Sequence, residues 1–223
     1  MQPSSVADAL SAVVQDFDIE IVSTPRGLRE AQRLRHQVYC VERAYKVARD
    51  AHGDDALEQD AFDGRAMHAV ARRRSDGEVI GTVRIVPGSP FAGGELPCGM
   101  VPGVELPRFL HGVRTVEISR FAISRDKRAA GSPALLRMAL VRAAVEMTRK
   151  VGATHWCALM ETALLRMLRG TGIHFVLSGD PVEHHGMRQP CWTDLDQMLD
   201  RMRRDAPDAW RFVTEPVLFR EDA

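Results

Sequence analysis

The chain has 223 residues, with 30 basic and 30 acidic side chains and a formal net charge of zero. Hydrophobic residues make up 45% and charged residues 27%, the composition of a globular domain able to bury a core without disulfides or metal. That balance gives no global pull toward nucleic acid or an anionic membrane. The four cysteines, at 40, 98, 157 and 191, form no CxxC and no paired Cys/His spacing of the zinc kind.

The N-terminus lacks a basic stretch followed by an apolar run, and no apolar run reaches the roughly 20 residues of a membrane span. A cytoplasmic protein with reduced cysteines is expected. Residues 1–17 read as a frayed helix and a flexible extension, and the rest as one domain. Asp18–Ser23 alternates and reads as a strand. Thr24-Pro25 caps a helix whose buried stripe is Leu28, Ala31, Leu34, Val38 and Val41. Residues 44–62 have no clear period, and a loop of that length is usually functional. Met67–Arg74 and Glu78–Val86 are strands joined by Ser75-Asp76-Gly77, a hairpin signal.

A second Gly/Pro-rich loop spans 87–112, and Thr115–Ser124 is a third strand. The turn RDKRAAG leads to Ser132-Pro133 and a helix to about Val151, stopped by Gly152. A strand (His155–Leu159), a helix (Glu161–Leu168), a strand (Ile173–Leu177) and two tail helices near 194–204 and 207–213 follow. The order predicts an α+β fold with a mixed sheet, parallel only in its second half.

Glu117 and Ser119 share one face of their strand and Ile118 and Arg120 the other, unless a bulge intervenes. A bulge would free a backbone N–H to polarise a carbonyl. The following turn joins Arg125, Lys127 and Arg128 to Gly131 and Ser132 at a helix N-terminus, where phosphate is attracted. Acids cluster over 42–63 and bases over 125–150. Arg137, Arg142 and Arg149 form either a solvated helix face or a dock for an acidic partner.

Arg35, Tyr39, Tyr45, Asp60-Ala-Phe-Asp63, Arg84 and Glu117-Ile-Ser-Arg120 stand in an order and spacing that resembles the acyl-homoserine-lactone synthase superfamily, a branch of the GNAT fold. Tyr39 and Tyr45 stand where the signalling synthases carry Phe and Trp, which moves the expected acceptor away from S-adenosylmethionine. Phrases such as VEISRFAIS and GATHWCALME look more like the acyltransferases of PEP-CTERM/exosortase systems and the N-acyl amino acid synthases. The resemblance covers about 18–215. It implies a GNAT-fold N-acyltransferase that takes a fatty acyl group from acyl carrier protein or acyl-CoA to a small amine acceptor, with no permanently bound cofactor. A lactone synthase using S-adenosylmethionine and a non-catalytic acyl or carrier-protein binding module are the alternatives.

On that reading Glu117 is the base, or else an ion-pair partner of Arg84 or Arg120. Asp60 and Asp63 bind the acceptor's ammonium and Arg35 its carboxylate, or the set is one salt-bridge network. The N–H groups of Phe121, Ala122 and Ile123 polarise the thioester. Arg125, Lys127, Arg128, Gly131 and Ser132 hold the phosphopantetheine phosphate. Met138, Met147, Met160 and Met167 are core or an acyl tunnel. His184-His185 beside Glu183 suggests no metal site.

Overall fold

The computed structural model describes residues 16–45, 56–88, 95–111, 113–126 and 133–215. The predicted helix at 1–17 lies almost wholly outside them, as do Lys127, Arg128, Gly131 and Ser132.

The strands are β1 (Phe17–Ile21), β2 (Met67–Arg73), β3 (Val79–Pro87), β4 (Thr115–Ile123), β5 (His155–Met160), β6 (Val176–Leu177), β7 (Val182–Glu183) and β8 (Met187–Asp194). The helices are α1 (Pro25–His36), α2 (Pro133–Lys150), α3 (Thr162–Arg169), α4 (Leu195–Asp205) and α5 (Pro207–Thr214). The sheet runs β1-β2-β3-β4-β5-β8-β6, with β7 paired to β8. Among the described strands β4 and β5 alone run parallel; the predicted parallel second half is corrected by β8, which inserts antiparallel between β5 and β6.

Local chemistry explains most of the element boundaries. Thr24 Oγ1 accepts from the Gly27 N–H at 3.1 Å and Pro25 needs no donor at the first helical position, so α1 starts there. Gly77, at φ 74°, turns the β2–β3 connection, and its N–H donates to the Arg73 carbonyl at 2.8 Å. β3 is buried along its whole length, between β2 and β4 with helices on both faces. One face packs on α2 through Ile85, Val83, Ile118 and Leu140; the other packs on α1 through Val70, Ala122, Ala31 and Leu34.

α1 continues into a π-helix, Gln37–Glu42. That change of winding takes Val41 out of the predicted stripe and leaves it exposed, while Val38 stays buried. Tyr39, within the π-helix, packs partly buried against the core on the α1 face.

Candidate active site

β4 and β5 pair over three positions, Thr115 to Glu117 against His155 to Cys157. Beyond Glu117, β4 stays on β3 and β5 stays on β8, so the two central strands part. A cavity of about 1020 Å³ opens there. Its apolar part is lined by Val141 and Ala144 of α2, Trp156 and Met160 of β5, and Leu164 and Met167 of α3. Its polar part has Glu58, Asp60, Glu117 and Arg120, with Tyr39, Tyr45 and His185 on the rim.

A bulge lies in β4. Thr82 pairs with Ala122 and Arg84 with Ser119, so Arg120 and Phe121 together oppose Val83. Arg120 takes φ 49°, in the left-handed region. Side-chain parity flips across the bulge: Ile118 packs on the α2 face, yet Ala122 packs on the α1 face. Ser119 and Arg120 therefore both turn to the α1 side.

On that side three arginines meet three acids. Arg35 Nη1 and Nη2 donate to the two Asp63 oxygens, each at 2.8 Å, and Nη2 also to the Glu58 carbonyl at 2.6 Å. Its Nε donates to the Glu58 carboxylate. Arg84 Nη1 donates to Asp60 and Asp63 at 2.6 and 2.7 Å, and its Nε to Ser119 Oγ at 3.2 Å. Arg120 holds Glu58 through Nε at 3.0 and 3.1 Å and Asp60 through Nη2 at 2.8 Å. Burial opposes ionisation of Asp63, but the Arg35 fork, Gln32 and Arg84 outweigh it and hold the carboxyl well below the usual range. Arg84 and Arg120 do the same for Asp60.

Glu117 stands apart from this network. One carboxylate oxygen accepts the Cys98 N–H at 2.6 Å, and Cys98 Sγ lies 3.9 Å from Cys157 Sγ. Burial pushes the Glu117 carboxyl up, against the Cys98 hydrogen bonds and the charges of Arg84 and Arg120.

Residues 34–138 match the acetyltransferase (GNAT) domain. The chain carries an acyltransferase domain of the GNAT type. The GNAT fold here is similar to that of TofI, solved in a ternary complex with an inhibitor and MTA, at 22% identity over 87% of this chain and 99% of that one, TM-score 0.64. It is similar to BjaI, a CoA-dependent acyl-homoserine lactone synthase solved with SAM and isopentyl-CoA, at 22% identity over 93% and 94%, TM-score 0.60. It is similar also to FeeM, an N-acyl amino acid synthase from uncultured soil microbes, at 14% identity over 83% and 93%, TM-score 0.63. At these identities the likeness is one of fold. No curated protein matches by sequence.

Within this GNAT domain Tyr39, Tyr45, Asp60, Glu117, Arg120, Phe121, Ile123 and Arg125 all line the cavity. Arg35, Arg84 and Asp63 sit behind its wall, and the two guanidiniums are fully buried. The expected Arg35 fork toward a substrate carboxylate is corrected: that fork is committed to Glu58 and Asp63. The expected ion pair of Glu117 with Arg84 or Arg120 is corrected as well, because both arginines turn to the acidic loop. Ala122 faces α1. The Arg125 N–H is held by Glu42, at 2.9 Å.

The basic dock does not form as drawn. Arg142 is buried and donates to the Phe212 carbonyl at 3.3 Å, while Arg137 lies in the cavity wall. Met138 and Met147 are core; Met160 and Met167 line the cavity. Tyr45 stacks between Tyr39 at 6.0 Å and His185 at 5.4 Å, and Arg43 and Arg188 hold its hydroxyl at 2.9 and 3.1 Å. Sequence reasoning gave Glu58 no role, although it stands two residues before the Asp-x-x-Asp run. Among the described residues no helix is long and apolar enough to cross a membrane.

Proposed function

We propose that the protein is an N-acyltransferase moving a fatty acyl group from acyl carrier protein or acyl-CoA to the amine of a small acceptor such as an amino acid. The observation that carries this reading is the meeting, at the point where β4 and β5 part, of a buried carboxylate and an apolar arm of the same cavity. The apolar arm suits an acyl chain. The charged end, with Glu58, Asp60 and Arg120, suits a zwitterion.

Glu117 is the general base. Its raised pKa brings it nearer to that of an amine it must deprotonate, directly or through a water. The freed amine attacks the thioester carbon, and the carbonyl oxygen becomes an oxyanion. The bulge takes backbone near Phe121 out of the ladder and supplies a donor for that oxyanion. The C–S bond then breaks, and the thiolate leaves with a proton. Arg120, the most exposed guanidinium of the network, takes the acceptor's carboxylate in place of Arg35. Arg125 and the basic turn after it take the donor's phosphate. The link to exosortase systems rests on the sequence phrases alone.

A second reading, lactone synthesis from S-adenosylmethionine, is favoured by the Tyr39–Tyr45–His185 stack, which offers a flat aromatic rim to the cavity. One experiment separates the two. Purified protein is given long-chain acyl carrier protein or acyl-CoA with an amino-acid mixture, or with S-adenosylmethionine. Free thiol release and mass spectrometry of the products are recorded. N-acyl amino acid supports the first reading, lactone with methylthioadenosine supports the second, and no thiol above background with any acceptor sinks both.

A further inference from the structure

Cys98, Cys157 and Glu117 form a buried cluster, all three ligand atoms lying within 4.8 Å of one another. The cluster is assembled by topology. Glu117 and Cys157 are register partners on the short parallel β4–β5 ladder. Cys98 reaches them from the 3-10 turn Pro97–Met100, fixed by its own N–H on Glu117. Two thiolates on a tetrahedral zinc, each about 2.3 Å from the metal, stand about 3.8 Å apart. The two sulfurs here are 3.9 Å apart.

We propose that these three side chains form a binding site for a soft divalent cation of the zinc type. Two sulfurs and one carboxylate oxygen give three protein ligands, the number found where zinc keeps one position open. Cys98 and Glu117 both border the cavity, so the fourth position faces that space. One Glu117 oxygen stays on the Cys98 N–H and orients the other, as hydrogen-bonded carboxylate ligands are oriented in known sites. On binding, each thiol gives up its proton to solvent and no electrons move. Soft thiolates favour zinc or cadmium over magnesium or calcium. With one oxygen on the cation, the Glu117 carboxylate is a far weaker base for a substrate proton, so the cation is an inhibitor of the reaction proposed above. That consequence rests on the acyl-transfer reading; the site itself does not.

The test uses the full chain, reduced with a phosphine, freed of metal and titrated with cadmium ion alone. One equivalent is expected to bind with a thiolate-to-cadmium absorption band in the ultraviolet, and two thiols should lose reactivity. Cys98→Ser and Cys157→Ser should each abolish the band, and Cys40→Ser should keep it. Glu117→Gln leaves both thiols in place and should weaken binding about tenfold or more. The site is overturned by a folded wild type without a saturable band, by a band that survives in both serine variants, or by a Cys98–Cys157 disulfide in place of the complex. Acyl transfer is assayed separately on metal-free protein. Stoichiometric cadmium binding by a protein that transfers no acyl group leaves the site standing and removes the base role; the opposite pair of results does the reverse.

Discussion

Arg120 grips Glu58 with hydrogen bonds of 3.0 and 3.1 Å from a backbone held at φ 49°, so the network's one cavity-lining arginine is a strained residue. Left-handed backbone costs a non-glycine residue about 1–3 kcal/mol, and it persists where the surroundings over-determine it. Replacing Arg120 by alanine removes the guanidinium and keeps the strain; replacing it by glycine removes both. Arg120→Ala is expected to lower stability by about 1–3 kcal/mol and to raise the acceptor KM. Arg120→Gly should retain more stability than Arg120→Ala. Urea midpoints for the pair decide the point: equal midpoints mean that the bulge stores no strain.

Arg35 makes the opposite prediction, since it is buried and never meets the cavity. Removing it leaves two arginines to three acids, so one buried negative charge of the network is uncompensated. Arg35→Met is expected to cost about 3–5 kcal/mol. The acceptor KM of whatever folded fraction remains should stay near that of the wild type. A KM that rises with an unchanged urea midpoint would return Arg35 to the substrate-binding role.

Glu117→Gln should cut turnover at least about a hundredfold, as loss of a general base does. Because burial raises the Glu117 pKa, wild-type activity should climb with pH through that raised value, and the glutamine variant should lose this limb. Stability has the opposite sign. The native state holds the Glu117 proton more tightly than the unfolded chain, so this group opposes folding increasingly as pH rises through its folded pKa. Glu117→Gln should therefore keep or raise the Tm at neutral pH. A variant that melts early and works at a normal rate would assign Glu117 a structural role.

Asp60 and Asp63 run the other way, since their folded pKa values are depressed. Their contribution to stability is fully present at neutral pH. It is lost as pH falls below the ordinary carboxylate range, about 4, toward the folded values. The urea midpoint should drop steeply over that acid window. Asp63→Asn should start lower and lose part of the slope, and parallel curves for the two proteins would contradict the network.

Leu164 and Met167 of α3 border the apolar arm. Leu164→Trp fills that space, so transfer from long-chain donors should fall about tenfold or more relative to short-chain ones, a cost of about 1.4 kcal/mol or more in differential binding. Unchanged chain-length preference in donor competition would place the acyl chain elsewhere.

The elements with local signals were legible in the chain. Thr24-Pro25 opens α1 and Asp76-Gly77 turns the hairpin, because capping and turn chemistry act over three or four residues. β8 was not legible. Pro190 lacks a donor and argues against a strand, yet its carbonyl still accepts the Ser178 N–H at 2.9 Å while it stands opposite Leu159. The bulge was foreseen as an option, but its occurrence depends on the Val83 register, which lies 37 or 38 residues away in sequence from its partners. For Arg35, Asp60 and Asp63 the sequence allows either a substrate clamp or one salt-bridge network, and the structure has the network. Glu58, placed beside α1 with its N–H on the Gln32 carbonyl at 3.2 Å, adds a direct link between Arg35 and Arg120 that no spacing announces. The Cys98–Cys157 contact spans 59 residues and has no spacing signature.

The parting of β4 from β5 leaves the sheet as two stiff halves joined by three paired positions. A guest lodged in that gap would touch both halves at once and act as mortar between them. Amide protons along Ser119–Ile123 and Ala158–Met160 should then exchange with solvent more slowly when donor is bound, and the slowing should appear on both strands together. The opening that admits substrate is also the sheet's weakest seam, and occupancy should knit it.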